Sequence, residues 1–326
     1  MTKRMNVLYL PHPNKNIQNP WNEFLTGFIK KNHDLQILDR SRPLQPQFDG
    51  IEAMVDMGGQ IKNEEIAFAA KAGVKFVQVQ TTGLDHVKVP EILGAGMLLA
   101  HCPGEFSSTA LAQSSMMFML NMAHEYGQAR RNFSDREWYC PVATELDGKT
   151  LGIIGFGSSG QDLARLAKPF GMRIMAIDVR PIEKEILDEI KPDFLGSPDD
   201  LDRVVAESDF LSLHLHLNDE THHTIDERRI GLMKPTACLI NVARGPLVDE
   251  KALYKALLEG RIAGAGLDVF EMEPPDPALP VYGLPNVYLM PHTAGSTDGT
   301  ARKRAQHAAD NLDRYARGEA LVGQIT

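Results

Sequence analysis

A chain of 326 residues has room for about two domains, and its 43% hydrophobic and 24% charged residues have the balance of a globular protein with an ample core. A net charge of −9 and a pI near 5.7 exclude the broad basic surface that non-specific nucleic-acid or anionic-membrane binding needs, so neither is an expected partner.

The first apolar stretch, residues 5–10, stops at Pro11, too short for a signal-peptide core or a membrane helix. Short apolar runs then alternate with helical stretches. Residues 7–10, 35–38, 53–57, 76–79 and 98–102 read as strands, and residues 63–71 as an amphipathic helix. Residues 107–131 read as one long helical block. Its Met116, Met117, Met119 and Met122 read as core or subunit packing, because no polar centre converges on them. After Gly148 the alternation resumes, with residues 150–154, 173–177, 210–215, 238–242, 265–269 and 287–290 as six strands and 300–317 as the final helix. This alternation predicts an α/β protein with parallel sheets covered by helices on both faces. The Pro-rich segment 271–280 reads as an ordered loop. Cys102, Cys140 and Cys238 are far apart and odd in number, which predicts a reduced, cytoplasmic protein without a disulfide framework or zinc module.

The strand at 150–154 runs into GFGSSG, which places Gly155, Gly157 and Gly160 in the G-x-G-x-x-G spacing ahead of a helical stretch. The first glycine permits a tight turn, the second a close backbone approach to a pyrophosphate, and the third close packing of helix on strand. The phosphates then meet the helix N-terminus. The next strand ends in Asp178, 178 − 160 = 18 residues after the last glycine, where an acid hydrogen-bonds a ribose 2′-hydroxyl and repels a 2′-phosphate. NAD is therefore the expected cofactor, with Arg180 two residues later as a moderating charge.

Three later strands end in polar residues: Arg244 before Gly245-Pro246, Asp268 with Glu273 beyond it, and His292 after Met290-Pro291. Ligands of open parallel sheets bind at the carboxyl ends of strands, so these four side chains are expected at one crevice with the dinucleotide. Arg binds a carboxylate bidentately and polarises an adjacent carbonyl. His exchanges the proton that accompanies hydride transfer, and a carboxylate orients the ring and raises its pKa. The set suits interconversion of a 2-hydroxy acid and a 2-keto acid.

GIIGFGSSG, LINVARGPLVDE, AGLDVFEMEPP and MPHTAGST together make the chain resemble the D-isomer-specific 2-hydroxyacid dehydrogenases, of the phosphoglycerate dehydrogenase and hydroxypyruvate/glyoxylate reductase kind, over nearly its whole length. The resemblance implies Arg244, Glu273 and His292 as catalytic residues, with Glu273 paired to His292. It places Gly155, Gly157, Ser158, Ser159, Gly160, Asp178, His214, Val242, Asp268 and Gly295 against NAD, Asp268 at the carboxamide and Gly295 beside the ring. In VQTTGLDHV, Thr82 and Gly83 correspond to a substrate-carboxylate loop that acts with Arg244. The resemblance further implies two Rossmann-like domains, with an NAD-binding domain (103–296) inserted into a discontinuous substrate domain (1–102 plus 297–326). The active site is expected in the cleft between them, and the assembly is expected to be a homodimer, with the long helix and the loop after it, including Trp138, at its interface. The partner expected besides is a small 2-keto or 2-hydroxy acid.

Two positions depart from the family pattern: His216 stands where proline is common, and Gln113 where glutamate is common. His214 and His216 form a His-x-His pair, but without a further ligand at suitable spacing no metal is expected, and His222 and His223 read as an exposed loop. Two alternatives share the fold. A formate dehydrogenase typically carries glutamine as the histidine's partner, which Glu273 disfavours; a dinucleotide-sensing, co-repressor-like regulator keeps the same polar set.

Overall fold

The computed structural model of the chain describes residues 3–12 and 20–326. The chain divides into two compact units, Met1–Phe106 with Ser296–Thr326 and Ser107–Gly295, each built on its own sheet.

The first unit runs β1 (Asn6–Leu10), α1 (Trp21–Ile29), β2 (Asp34–Ile37), β3 (Ala53–Asp56), α2 (Asn63–Ala72), β4 (Phe76–Val79), α3 (Val89–Gly94) and β5 (Leu98–Ala100). These strands are parallel in the order β2-β1-β3-β4-β5, a doubly wound arrangement. Successive side chains of a strand point to opposite faces, and the two cores follow that rule. Val7, Tyr9, Val55, Phe76 and Ala100 feed one cluster, while Leu8, Leu10, Met54, Val77, Val79 and Leu99 feed the other. Strands buried on both faces are predominantly apolar, with Asp56 on β3 and Gln78 on β4 as buried polar exceptions, which is why they read as near-continuous runs in the sequence.

α4 (Glu105–Ala123) leads into the second unit, which continues α5 (Tyr126–Asp135), β6 (Thr150–Ile154), α6 (Ser158–Ala167), β7 (Arg173–Ile177), α7 (Lys184–Ile190), β8 (Phe194–Gly196), α8 (Leu201–Glu207), β9 (Phe210–Leu213), α9 (Glu227–Ile230), β10 (Cys238–Asn241), α10 (Glu250–Leu258), β11 (Gly264–Leu267) and β12 (Val287–Leu289). All its strands are parallel, in the order β8-β7-β6-β9-β10-β11-β12. The order reverses at β6, so β6 and β9 flank the switch point at which such sheets bind dinucleotides. The chain returns to the first unit through α11 (Asp298–Ala316) and β13 (Gln324–Ile325).

Three sequence expectations need correction. The helical block at 107–131 is two helices: Glu125 takes a left-handed φ of 44°, the Tyr288 hydroxyl accepts the Gly127 amide at 3.1 Å, and the amide of Thr144 donates to the last-turn carbonyl of Ala123. The second sheet has a seventh strand, β8, too short and too half-buried at the sheet edge to show a pattern. The first sheet is not wholly parallel, because β13 pairs antiparallel with β5. Met116, Met119 and Met122 are buried in the core beside β6, while Met117 is exposed. Among the described residues, no helix is long and apolar enough to cross a membrane.

The return segment is held by Asn311, which is fully buried on α11. Its Nδ2 donates to Gln78 Oε1 at 2.7 Å and to Val322 O at 2.9 Å, and its Oδ1 accepts the Val322 amide at 3.0 Å. Asn311→Ala strands those partners, and an unsatisfied buried polar group costs about 1–3 kcal/mol. The expected loss of unfolding free energy is therefore about 2–4 kcal/mol, measured by urea denaturation. A loss well under 1 kcal/mol would show that the segment is held by something else.

Candidate active site

The glycine loop joins β6 to α6. Gly155 has φ +95°, and a Cβ there would lie 2.5 Å from the carbonyl oxygen of His214. At Gly160 a Cβ would meet the carbonyl oxygen of Gly155 at 2.3 Å, so α6 reaches its close packing only without a side chain. Gly157 is the N-cap of α6, and a Cβ there would meet nothing nearer than Arg180 Nη2 at 3.4 Å. The loop thus combines two positions closed to any side chain with one left open before a helix N-terminus, the cradle that fits a dinucleotide's pyrophosphate. Ser158 and Ser159 open the helix. Ser159 Oγ is 3.0 Å from His214 Nδ1, while His214 Nε2 is 3.0 Å from Ser212 Oγ. Enclosure pushes the His214 imidazole down to about 4, so it is neutral at physiological pH and ties the loop to β9. Val242 is buried just past β10.

Asp178 follows β7. One of its oxygens accepts the Phe156 amide at 2.9 Å, and Arg180 donates to it through its own amide (2.9 Å), Nε (3.1 Å) and Nη2 (3.3 Å). Burial would raise this carboxyl, but the Arg180 bonds outweigh it and hold the group below the usual carboxylate range. The acid that the sequence singles out is thus partly neutralised by its neighbour.

The strand ends after β10, β11 and β12 form one polar cluster within the second unit. His292 Nδ1 and Glu273 Oε2 are 2.6 Å apart, and Glu273 Oε1 accepts the Phe270 amide at 3.1 Å. The hydrogen bond that His292 donates to Glu273 raises the His292 pKa above its ordinary value, against partial desolvation and the repulsion of Arg244. Burial would raise Glu273, but the His292 bond carries it below the carboxylate range. His292 has a left-handed φ of 56°, strain of the kind that persists where surrounding bonds over-determine the backbone. Those bonds come from Asp268, which is almost wholly buried. Its carbonyl accepts the His292 amide at 2.8 Å, and its two carboxylate oxygens accept the amides of Thr293 (2.7 Å) and Ala294 (3.0 Å). Burial lifts the Asp268 carboxyl, while these amides and His292 pull it back.

Arg244 leaves β10 in an extended conformation, half-buried, with Nη1 donating to Ala243 O at 2.8 Å. Its turn is shaped by Asn241, which sequence reasoning missed: Asn241 Oδ1 accepts the Ala243 amide and Nδ2 donates to Arg244 O at 2.8 Å. A Cβ on Gly245 would fall 1.9 Å from the Phe270 carbonyl group, so the turns after β10 and β11 touch backbone to backbone. A Cβ on Gly295 would make only ordinary contacts, with Ser107 at 3.8 Å and Leu111 at 3.9 Å. Gln113 is exposed on α4, and His216 is exposed past β9. In the first unit, Thr82 and Gly83 lie just past β4. Thr82 Oγ1 accepts from Arg304 Nη2 at 3.1 Å, and Thr82 O lies 3.0 Å from His101 Nδ1.

A doubly wound sheet with this loop at its switch point defines a dinucleotide-binding α/β protein. Comparison with known proteins narrows the class. Residues 116–294 match the family described as D-isomer specific 2-hydroxyacid dehydrogenase, NAD binding domain. The glyoxylate reductase of Korarchaeum cryptofilum (strain OPF8) is 39% identical over 261 residues, 77% of this chain and 76% of that protein. The D-3-phosphoglycerate dehydrogenase of Methanocaldococcus jannaschii is 36% identical over 260 residues, 79% of this chain and 47% of that protein. The crystal structure of a glyoxylate reductase from Paecilomyes thermophila covers 99% of this chain and 98% of that one, with a TM-score of 0.79 at 27% identity. The chain belongs to the D-isomer-specific 2-hydroxyacid dehydrogenase family and is an NAD-dependent oxidoreductase.

The Asp178–Arg180 pair generates a test of cofactor choice. Asp178→Ser is expected to narrow the preference for NADH over NADPH in kcat/KM, by relieving repulsion of the 2′-phosphate. Arg180→Ala is expected to widen it, by baring the carboxylate. Equal use of both cofactors by the unmutated chain would remove Asp178 as the discriminator.

Proposed function

We propose that the chain reduces a small 2-keto acid of glyoxylate size, and that Arg244, Glu273 and His292 carry the reaction. The observation that carries this reading is the 2.6 Å His292–Glu273 pair, set beside Arg244 on the unit that holds the glycine loop. The glyoxylate reductases among the relatives support the substrate's size. Bound NADH supplies the hydride. The Arg244 guanidinium holds the substrate carboxylate and polarises the carbonyl next to it. With Nδ1 engaged by Glu273, Nε2 of His292 gives its proton to the carbonyl oxygen. Glu273 keeps that imidazolium charged, and Asp268 acts as a positioning residue that fixes the turn bearing the ring. Asp268 also stands nearest in role to the nicotinamide carboxamide, with Gly295 beside the ring; Ser158, Ser159, His214 and Val242 line the cofactor side. The Thr82–Gly83 loop is assigned further amides for the carboxylate, and the first unit is assigned the role of substrate domain.

We infer a homodimer as the working assembly. Tyr126, Phe133, Trp138, Tyr139 and Val142 are all exposed on α5 and the loop after it, with Phe133 and Trp138 in edge contact at 6.0 Å. An apolar patch of this kind marks an interaction surface. A reducing, cytoplasmic setting fits the three free cysteines. Replacing Trp138 and Val142 with Lys is expected to shift the protein to monomer by light scattering. An unchanged mass would locate the contact elsewhere.

NADH oxidation over a panel of 2-keto acids is the direct test, with glyoxylate and hydroxypyruvate expected ahead of bulkier acids. Arg244→Lys keeps the charge but loses the fork, and is expected to lower kcat/KM by about 10²–10³-fold. His292→Ala is expected to cost about 10²–10⁴-fold. The His292 pKa is raised, so reduction holds at pH below that value and falls as pH rises through it, while oxidation gains. In Glu273→Gln the raising bond to a carboxylate is gone, and the alkaline limb of reduction is expected to move to lower pH. A limb that stays in place would make Glu273 an ordinary loop carboxylate.

A further inference from the structure

A second set of ligating side chains lies away from the hydride-transfer residues, and we propose that His222, His223 and Glu271 bind a divalent transition-metal ion of the zinc, nickel or copper kind. The two histidines lie in the loop after β9, whose backbone is already fixed. Asn218 Oδ1 accepts the amides of Glu220 and Thr221, each at 2.9 Å, and Thr221 Oγ1 donates to His216 O at 2.7 Å. His223 takes a left-handed φ of 49°, and its amide donates to Pro246 O at 2.8 Å. This turn sets two consecutive imidazoles side by side, with ring centroids 4.0 Å apart and planes 31° from parallel. Glu271 comes from the loop after β11, and its Oε1 is 2.8 Å from His223 Nε2.

One ligand atom from each of the three residues lies within 4.8 Å of the others. Ligands bound tetrahedrally to zinc at its usual bond lengths are about 3.3 Å apart, so side-chain rotation closes the set around an ion without moving the backbone. His222 and Glu271 are exposed, which leaves the remaining coordination to water. Two imidazoles and one carboxylate favour zinc, nickel or copper over magnesium and calcium, which take oxygen ligands. On binding, the metal takes the place of the proton between His223 Nε2 and Glu271, and the imidazole carries its single N–H on Nδ1. A bound ion would cross-link the loop after β9 to the one that carries Glu273, as a brace and not as a participant in hydride transfer. The site is independent of the substrate reading above, because its test is binding and not turnover.

The test is equilibrium dialysis and titration calorimetry of the full chain, free of any affinity tag, with Zn²⁺ and with Mg²⁺. One equivalent of Zn²⁺ and no Mg²⁺ is the expected result. His222→Ala and Glu271→Gln are each expected to weaken Zn²⁺ binding by at least about tenfold. His222 is exposed and Glu271→Gln is isosteric, so both variants keep the fold, checked by an unchanged melting temperature without metal. Cys140→Ser and His292→Ala are expected to bind as the unmutated chain does. Absence of stoichiometric binding, binding that survives in His222→Ala and Glu271→Gln, or loss in Cys140→Ser instead would each overturn the proposal.

Discussion

The polar cluster depends on a buried carboxylate that is saturated by backbone. Asp268 is sealed from solvent, where a charge without partners is costly, and it is held there by the amides of Thr293 and Ala294. The same residue takes the His292 amide on its carbonyl. One residue therefore fixes three successive amides, two through its carboxylate and one through its carbonyl, and holds His292 in the left-handed region with its ring toward Glu273. A histidine on a freer turn would lose rotamer and backbone entropy each time it met its partner.

Steric closeness does as much as hydrogen bonding. Gly155, Gly160 and Gly245 each sit where a Cβ would strike backbone within 2.5 Å. Gly155 lets the loop close against the carbonyl of His214 past β9, and Gly160 brings α6 onto the end of β6. The third lets the turn bearing Arg244 touch the turn after Phe270, which leads to Glu273. Arg244 and His292 thus sit on short turns at neighbouring strand ends, while Glu273, in the longer loop after β11, is tied in through the Phe270 amide and the His292 ring.

Electrostatics divide the same unit into groups of opposite character. His214, enclosed between two serines, is kept neutral and serves as a tie. His292, paired with a carboxylate and half in solvent, is biased toward its charged form. The same residue type is thus kept neutral at one strand end and biased toward its charged form at another, and the difference lies in what faces each ring.

Much was legible in the chain itself. Strands β4, β6 and β7 carry the bounds their apolar runs predicted, because strands buried on both faces are predominantly apolar. The glycine spacing, Asp178 and the order of Arg244, Glu273 and His292 were equally plain, since local backbone geometry demands those residue types at those places. Other features depended on contacts distant in sequence. The break at Glu125 depends on Tyr288, β8 and β13 depend on the edges they join, and Asn241 and Asp268 show their shaping roles only once their turns are formed. The His214-x-His216 pair in the sequence carried no expectation of a metal, whereas folding gathers His222, His223 and Glu271, the last 48 residues from His223 in the chain. The sequence by itself determined the fold class, the glycine loop and the residue types of the polar cluster, all set by short-range periodicity and spacing. Which side chains touch was decided by the tertiary structure, because those contacts join strand ends far apart in the chain that only the assembled sheet brings together.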